Sequence, residues 1–400
     1  MGDLGHFAIV VLLVAITLLV AIGSHRLTQW LRIPAPALFL IAAAVAAELA
    51  PSLSGLSIVA DQRIVTVALA VILFDGGMSI GWSRMREAAG AVVWVGFAGT
   101  LVTAAAMAVA AHYLFGFDWR AGLLVGAALA PTDPAVVFSV LGGREIAGRS
   151  DTVLEGESGA NDPVGIALMV SLLGAGGSGW SAVGSGVGNF AVQLAVGGAV
   201  GLIGGWLSLQ LMRRAPLPNE ALYPVQTIAF ALALYGGATA LEGSGFLAVF
   251  LAGIVVGDVR APHKREIERF TGALAGVAEI VAFVVLGLSV QLSSVLSHGR
   301  VWTGLGLAAV LILVARPALV GALLLAIDLR AGERWFVLLS GLKGAVPILL
   351  GTYVLVEGAH RAEEIYDVIF VVVLVSVLVQ GSLVPTFARV FKVPMRPADP

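Results

Sequence analysis

Cysteine is absent from the 400 residues, which excludes disulfides, zinc-thiolate sites and thiol catalysis while leaving the compartment open. Charge is scarce as well. Asp, Glu, Lys and Arg make up 12% of the chain, about half the share of an average soluble domain. The remainder is dominated by apolar side chains, at 59% of residues and a mean hydropathy of +0.99, which places the chain in a bilayer. A net charge of −2 and basic residues scattered in pairs argue against a nucleic-acid partner. The first apolar run, Phe7 to Ile22, follows Asp3 and His6 instead of the basic start of a cleaved signal peptide, so it reads as a true transmembrane helix.

A helix needs about 20 apolar residues to cross the hydrocarbon. Cutting the chain at charges and Pro/Gly clusters gives thirteen spans, approximately 5–23, 34–50, 63–80, 88–113, 119–141, 152–174, 187–211, 221–241, 244–257, 270–291, 301–327, 334–356 and 364–388. The ninth is short and could instead continue the eighth. Charge separates the two. With thirteen spans, one side collects Arg26, Arg32, Arg84, Arg86, Arg144, Arg149, Arg213, Arg214, the cluster from Arg260 to Arg269, Arg330, Arg334 and the basic tail from Arg389 to Arg396. The other side holds only Arg63, Arg120, Arg300 and Arg361. The positive-inside rule then puts the N-terminus outside and the C-terminus in the cytoplasm of a plasma (inner) membrane. Fusing spans eight and nine would move the Arg260 cluster outside. No soluble regulatory domain is expected after the last span.

An odd number of spans permits an inverted repeat, with spans 1–6 recurring as 8–13 around span 7. Unusual features should then recur seven spans apart. Span 5 carries Ala130-Pro131-Thr132-Asp133-Pro134 near its middle, and span 12 carries Gly341-Leu342-Lys343-Gly344-Ala345-Val346-Pro347 near its own. Pro removes an amide donor and Gly permits unusual backbone angles, so both helices are expected to break at mid-membrane. The fold class is thus an all-α polytopic membrane protein with two crossed discontinuous helices, 5 and 12. Matched breaks of this kind point to a transporter's binding site.

Asp75, Asp133, Glu157, Asp162, Glu279, Arg316 and Lys343 lie inside spans, where each charge costs ~2.5 to 3.5 kcal/mol on insertion scales. The acidic excess suits cations and protons. Span 6 is the densest stretch, Glu155-Gly-Glu157-Ser158-Gly-Ala-Asn161-Asp162-Pro163. At 100° per residue Ser158 and Asp162 share one face, and Glu157 and Asn161 the next. A carboxylate, a hydroxyl and carbonyls freed by a broken helix are hard oxygen ligands for dehydrated Na⁺ or K⁺, and the same carboxylate also binds H⁺. Arg316, before Pro317 in an apolar run, needs a partner. At a crossing of two broken helices, like ends meet, so Asp133 would offset the positive ends and Lys343 the negative ones. Glu279 is expected to be a structural hydrogen-bond partner.

Taken together, Leu73-Phe74-Asp75-Gly76-Gly77, Thr132-Asp133-Pro134, Glu157-Ser158-Gly-Ala-Asn161-Asp162 and Gly341-Leu342-Lys343-Gly344-Ala345-Val346-Pro347 resemble the NhaP-type monovalent cation/proton antiporters across essentially the whole membrane region. The resemblance implies a homodimer with a dimerisation part (approximately 5–80 and 187–291) and a mobile core (approximately 88–174 and 301–388) that moves like an elevator. It implies electroneutral one-for-one exchange of Na⁺ or K⁺ for H⁺, as goes with an Asn-Asp pair, without a cofactor or a catalytic residue. Carried over by position, it makes Asp162 the shared ion and proton site, with Ser158, Thr132, Asn161 and Asp133 as ligands or neighbours. Asp75 stands at the cytoplasmic mouth, where the family usually has the longer Glu. Glu157 and Arg316 match a family ion pair, and Lys343 replaces an Arg, keeping the charge without the planar fork. The Gly-Ala-Val-Pro continuation resembles the potassium/proton members.

Three other readings compete. An intramembrane aspartyl hydrolase built on Asp133 and Asp162 would not need a second broken helix bearing a Lys. A cation channel would need a filter loop that is not evident. The most serious rival is a sodium-coupled organic solute symporter with the same crossed-helix fold.

Overall fold

The computed structural model describes residues 19, 23, 33–50, 56–141, 144–146, 149–175, 180–257, 263–297 and 299–397. The first predicted span lies outside these residues apart from positions 19 and 23, as do Arg26, Arg32 and Arg260. The described chain from residue 33 onward is helical almost throughout, as the apolar runs dictate. α1 (Ala35–Leu49) and α2 (Ile58–Val93) lead through a π-helical turn (Trp94–Ala98) into α3 (Gly99–Phe115). α4 (Trp119–Leu129) and α5 (Pro134–Ser139) are the two pieces of the fifth predicted span. Then come α6 (Arg149–Leu173), α7 (Trp180–Arg214), α8 (Leu222–Ala240), α9 (Gly245–Val256), α10 (Lys264–Leu288) and α11 (Leu292–Ser297). α12 (Arg300–Val310) continues through a π-helical segment (Leu311–Val320) into α13 (Gly321–Leu324). The twelfth span is again in two pieces, α14 (Ala331–Leu339) and α15 (Ala345–Val356), followed by α16 (Ala362–Val375), a π-turn (Ser376–Gln380) and α17 (Gly381–Val390).

Six helices among the described residues are long and apolar enough to cross a membrane by length and composition. The shorter apolar ones include α4, α9 and α15. α9 is separate from α8, with Ser244 capping its first turn through Leu247 N at 3.2 Å. Its 12 residues extend about 18 Å at 1.5 Å per residue, short of the ~30 Å hydrocarbon thickness.

Two features depart from the sequence reading. The loop expected between spans three and four at 81–87 is helical except at Gly81, whose φ of 65° and ψ of 163° break α2. The helix resumes directly after that residue, where the charges at Arg84, Arg86 and Glu87 led the sequence reading to expect a loop. A small antiparallel pair also appears, β1 (Arg144–Ile146) with β2 (Met395–Pro397), joining the segment after α5 to the chain after α17.

Close packing follows the small residues. α9 packs against α2 and α7, and α10 against α1 and α2; α3 packs on α4, and α12 on α16. The loops after α3 and before α16 are stapled together. Arg361 donates to Gly116 O (3.1 Å) and stacks over Phe117, 4.4 Å from the ring centroid. Asp118 caps α4 by accepting from Ala121 N at 3.0 Å, which holds its carboxyl below the ordinary range, and His360 lies 3.4 Å away.

The strongest charge constraint in the interior is one ion pair. Arg316 Nη2 lies 2.9 Å from Glu157 Oε1, with both side chains about 4% exposed. Pro317 cannot donate a backbone hydrogen bond, and the surrounding chain widens into the π-helical segment. Arg316 Nε also donates to Leu338 O at 2.8 Å, reaching the C-terminal end of α14. Gly341 leaves room for this guanidinium, since a Cβ there would overlap it. Replacing either Glu157 or Arg316 by a neutral residue is expected to cost ~3–5 kcal/mol by stranding the other charge, and replacing both should recover much of that loss. A double-mutant cycle of thermal stability in detergent checks this, and additive losses would show that the two act independently.

Candidate functional site

The two interrupted helices touch at their breaks. Asp133 N donates to Leu342 O at 2.8 Å, so the backbone freed by one interruption satisfies the other. The stranded helix ends are met by charges and amides. Lys343, 1% exposed, donates its ammonium to Ala130 O (3.0 Å) and Pro131 O (2.7 Å), the carbonyls that end α4. Three positive N–H donors on one point charge suit two converging carbonyls. Asp133 sits at the opposite pole, capping α5 by accepting from Ala135 N at 2.9 Å. It also lies against the start of α15, because a Cβ on Gly344 would run into the Asp133 carboxylate. Gly at 344 is therefore required by close approach, and negative charge stands by the N-terminal ends of both half-helices.

The C-terminal end of α14 uses groups that sequence reasoning did not single out. Gln380 Nε2 donates to Leu339 O at 2.8 Å, and Ser376 Oγ donates to Gln380 Oε1 at 2.9 Å while accepting from Lys343 N at 3.0 Å. Their i, i+4 spacing in an otherwise apolar span was the available signal.

α6 passes beside this junction and sorts its polar residues by direction. Asn161 is bolted to the first break: Oδ1 accepts from Thr132 N at 3.2 Å and Nδ2 donates to Thr132 Oγ1 at 2.7 Å. Ser158 Oγ lies 3.0 Å from the same Thr132 hydroxyl. Glu157 turns away to Arg316. Asp162 is 8% exposed, and its Oδ1 is buried without a hydrogen-bond partner.

Asp162 and Ser158 open onto a cavity of about 330 Å³, whose lining also includes Asp75, Ser79, Asp133, Glu155, Gly159, Phe250, Gly272, Glu279, Ala345 and Val346. Thr132 and Asn161 do not line it, so they hold the junction from behind. Asp75 shares the cavity, beside Gly272 of α10, without a hydrogen bond to Asp162. Glu279 was expected to have a structural partner, yet its Oε1 is buried and unpartnered as well. Asp75, Asp133, Glu155, Asp162 and Glu279 all face this space, and among the described residues no Lys, Arg or His lines it. Such a cleft concentrates cations and repels anions.

Comparison with known proteins identifies the family of the chain. The family model for the transmembrane region of sodium/hydrogen exchangers matches residues 11–390. The chain is 35% identical to the K(+)/H(+) antiporter NhaP of Alkalimonas amylolytica over 387 residues, covering 96% of this chain and 67% of that protein. It is 35% identical to the K(+)/H(+) antiporter NhaP2 of Shewanella sp. (strain MR-4) over 400 residues, covering 98% and 68%. The Na(+)/H(+) antiporter NhaH of Halobacillus dabanensis is 27% identical over 339 residues, covering 80% and 81%. The sodium proton antiporter MjNhaP1 of Methanocaldococcus jannaschii at pH 8 has the same fold, with a TM-score of 0.80 at 21% identity, covering 96% of this chain and 98% of that one. This multi-pass membrane chain belongs to the sodium/hydrogen exchanger family.

Proposed function

We propose that the chain exchanges Na⁺ or K⁺ for H⁺ by carrying either ion on the Asp162 carboxylate. The observation that carries this reading is the buried Oδ1 of Asp162, unpartnered among the described residues, on a cavity to which those residues bring five acids and no bases. A buried acceptor without a donor is costly. A proton or a partly dehydrated alkali cation supplies the missing positive charge, and one carboxylate holds one of them at a time. Ser158 and Asp133 stand close enough to the same space to complete an oxygen shell. Thr132 and Asn161 fix that shell to the first break, and Asp75 is an acid on the approach. The relatives' names support antiport and lend nothing to the solute-symporter reading.

The same proposal includes thirteen spans in an inverted repeat, with the two broken helices crossing at the site, which the bond from Asp133 N to Leu342 O supports. The core, approximately 88–174 and 301–388, moves as an elevator against a dimerisation part, approximately 5–80 and 187–291. The staple between Gly116, Phe117 and Arg361 keeps the core in one piece. A homodimer is supported by α7, whose most apolar window is 22% buried against 39% or more for the other five long helices. The cavity runs from Asp162 toward Ser79 and Glu155, and Glu155 lies 3.9 Å from Arg84 on the basic face. By the positive-inside rule that face is cytoplasmic, which supports reading this as an inward-facing state of an inner-membrane protein with its N-terminus outside.

Exchange is electroneutral in this scheme. Asn161 cannot ionise and Glu157 is committed to Arg316, which leaves Asp162 to trade its load. Asp162→Asn is expected to abolish cation-driven proton movement in liposomes with an internal pH dye while the protein still inserts and dimerises. Wild-type exchange in that variant would remove Asp162 from the site.

A second expectation concerns pH and voltage. Protons and cations compete for one group, so apparent cation affinity should worsen roughly tenfold per unit as pH falls below the site's proton affinity, and the linkage is reciprocal. Because either load neutralises the same negative charge, turnover should carry no current. An affinity that stays flat across the acidic range, or a rate that follows an imposed membrane potential, defeats the single-site scheme.

A further inference from the structure

α10 sends Gly272, Ala275, Gly276, Glu279 and Phe283 into the cavity that holds Asp162. Positions 272, 276, 279 and 283 succeed one another at three- and four-residue steps along one helix face. Small residues keep this wall open, and Glu279 is the one charged side chain that α10 contributes to it. A carboxylate kept in a membrane helix for structural reasons is expected to find a donor, as Glu157 finds Arg316. Glu279 does not. Among the described residues nothing hydrogen bonds its buried Oε1, the same condition in which Asp162 Oδ1 is left. Asp162 on α6 and Glu279 on α10 thus each bring to the cavity a buried carboxylate oxygen that accepts no hydrogen bond among the described residues.

We propose that Glu279 is a second cation-handling carboxylate, which holds the Na⁺ or K⁺ in the cavity before it is loaded onto Asp162. The inference rests on the exchange reading above and adds to it an approach site on the opposite part of the protein. α6 belongs to the mobile core and α10 to the dimerisation part, so the two acids separate when the core moves. Glu279 raises the local cation concentration at the inward-facing site and stays behind when the load leaves. Its charge does not cross with the ion, and the one-for-one exchange on Asp162 is untouched.

The test is the dependence of exchange on cation concentration at fixed pH, measured in proteoliposomes with an internal pH dye and with Na⁺ and K⁺ in turn. Glu279→Gln is expected to raise the apparent KM for the cation about tenfold while the maximal rate stays within about twofold, the pattern of a lost binding contribution. Glu279→Asp keeps the charge on a shorter arm and is expected to give an intermediate KM; it carries the test alone if the neutral variant does not accumulate in the membrane. An unchanged KM, or a fall in maximal rate at constant KM, overturns the proposal and leaves Glu279 a packing residue. Wild-type vesicles that show no cation-driven proton movement would overturn the exchange reading itself, whatever the variants do.

Discussion

A helix interrupted inside hydrocarbon exposes backbone groups that no water satisfies, and the protein must answer each of them from within. That requirement organises the centre of this molecule. Lys343 answers the carbonyls that end α4, and Arg316 and Gln380 answer those that end α14. Asp133 answers the amides that begin α5, and each break also lends the other a backbone bond. The charges on these residues are therefore committed before any ion arrives. They build the platform and fix its field.

The platform in turn decides which polar groups of α6 are spent and which are left. Asn161 uses both ends of its amide on Thr132, and Ser158 meets the same hydroxyl. Glu157 is consumed by Arg316. The Oδ1 of Asp162, one turn beyond Ser158, receives no donor among the described residues. What sets Asp162 apart from Glu157 and Asn161 is that they are tied to Arg316 and Thr132 while it is not, and the proposed ion site rests on that contrast.

Much of this was legible in the sequence because a charge in an apolar run has few ways to survive. The need of Arg316 for a partner, the opposed placement of Asp133 and Lys343, and the interruptions at 130–133 and 340–344 derive from that cost and from Pro and Gly chemistry, while the family resemblance named Glu157 as the partner. Other features were hidden for physical reasons. The continuation of α2 beyond Gly81 depends on a single residue's positive φ, which propensity and charge do not report. Ser376 and Gln380 are uncharged, so nothing in their cost drew attention to them, although they complete a helix end. Glu279 was visible as an acid, but its lack of a donor is a property of three-dimensional packing. The strand pair of β1 and β2 joins segments about 250 residues apart with no periodicity to announce it.

The division of charge between the two parts has a consequence for transport. Within the core, Lys343 and Asp133 offset the helix ends, and Arg316 offsets Glu157, so these groups travel with the core in the same state on both legs of the proposed cycle. The quantity that changes between legs is the occupant of Asp162. In that proposal Asp75 and Glu279, which also line the cavity, shape its field without entering the moving charge. A protein built this way can make its cavity strongly attractive to cations and still move no net charge per turnover. In the proposed cycle the acids of both parts attract the cation, and Asp162 is the one whose occupant changes between legs.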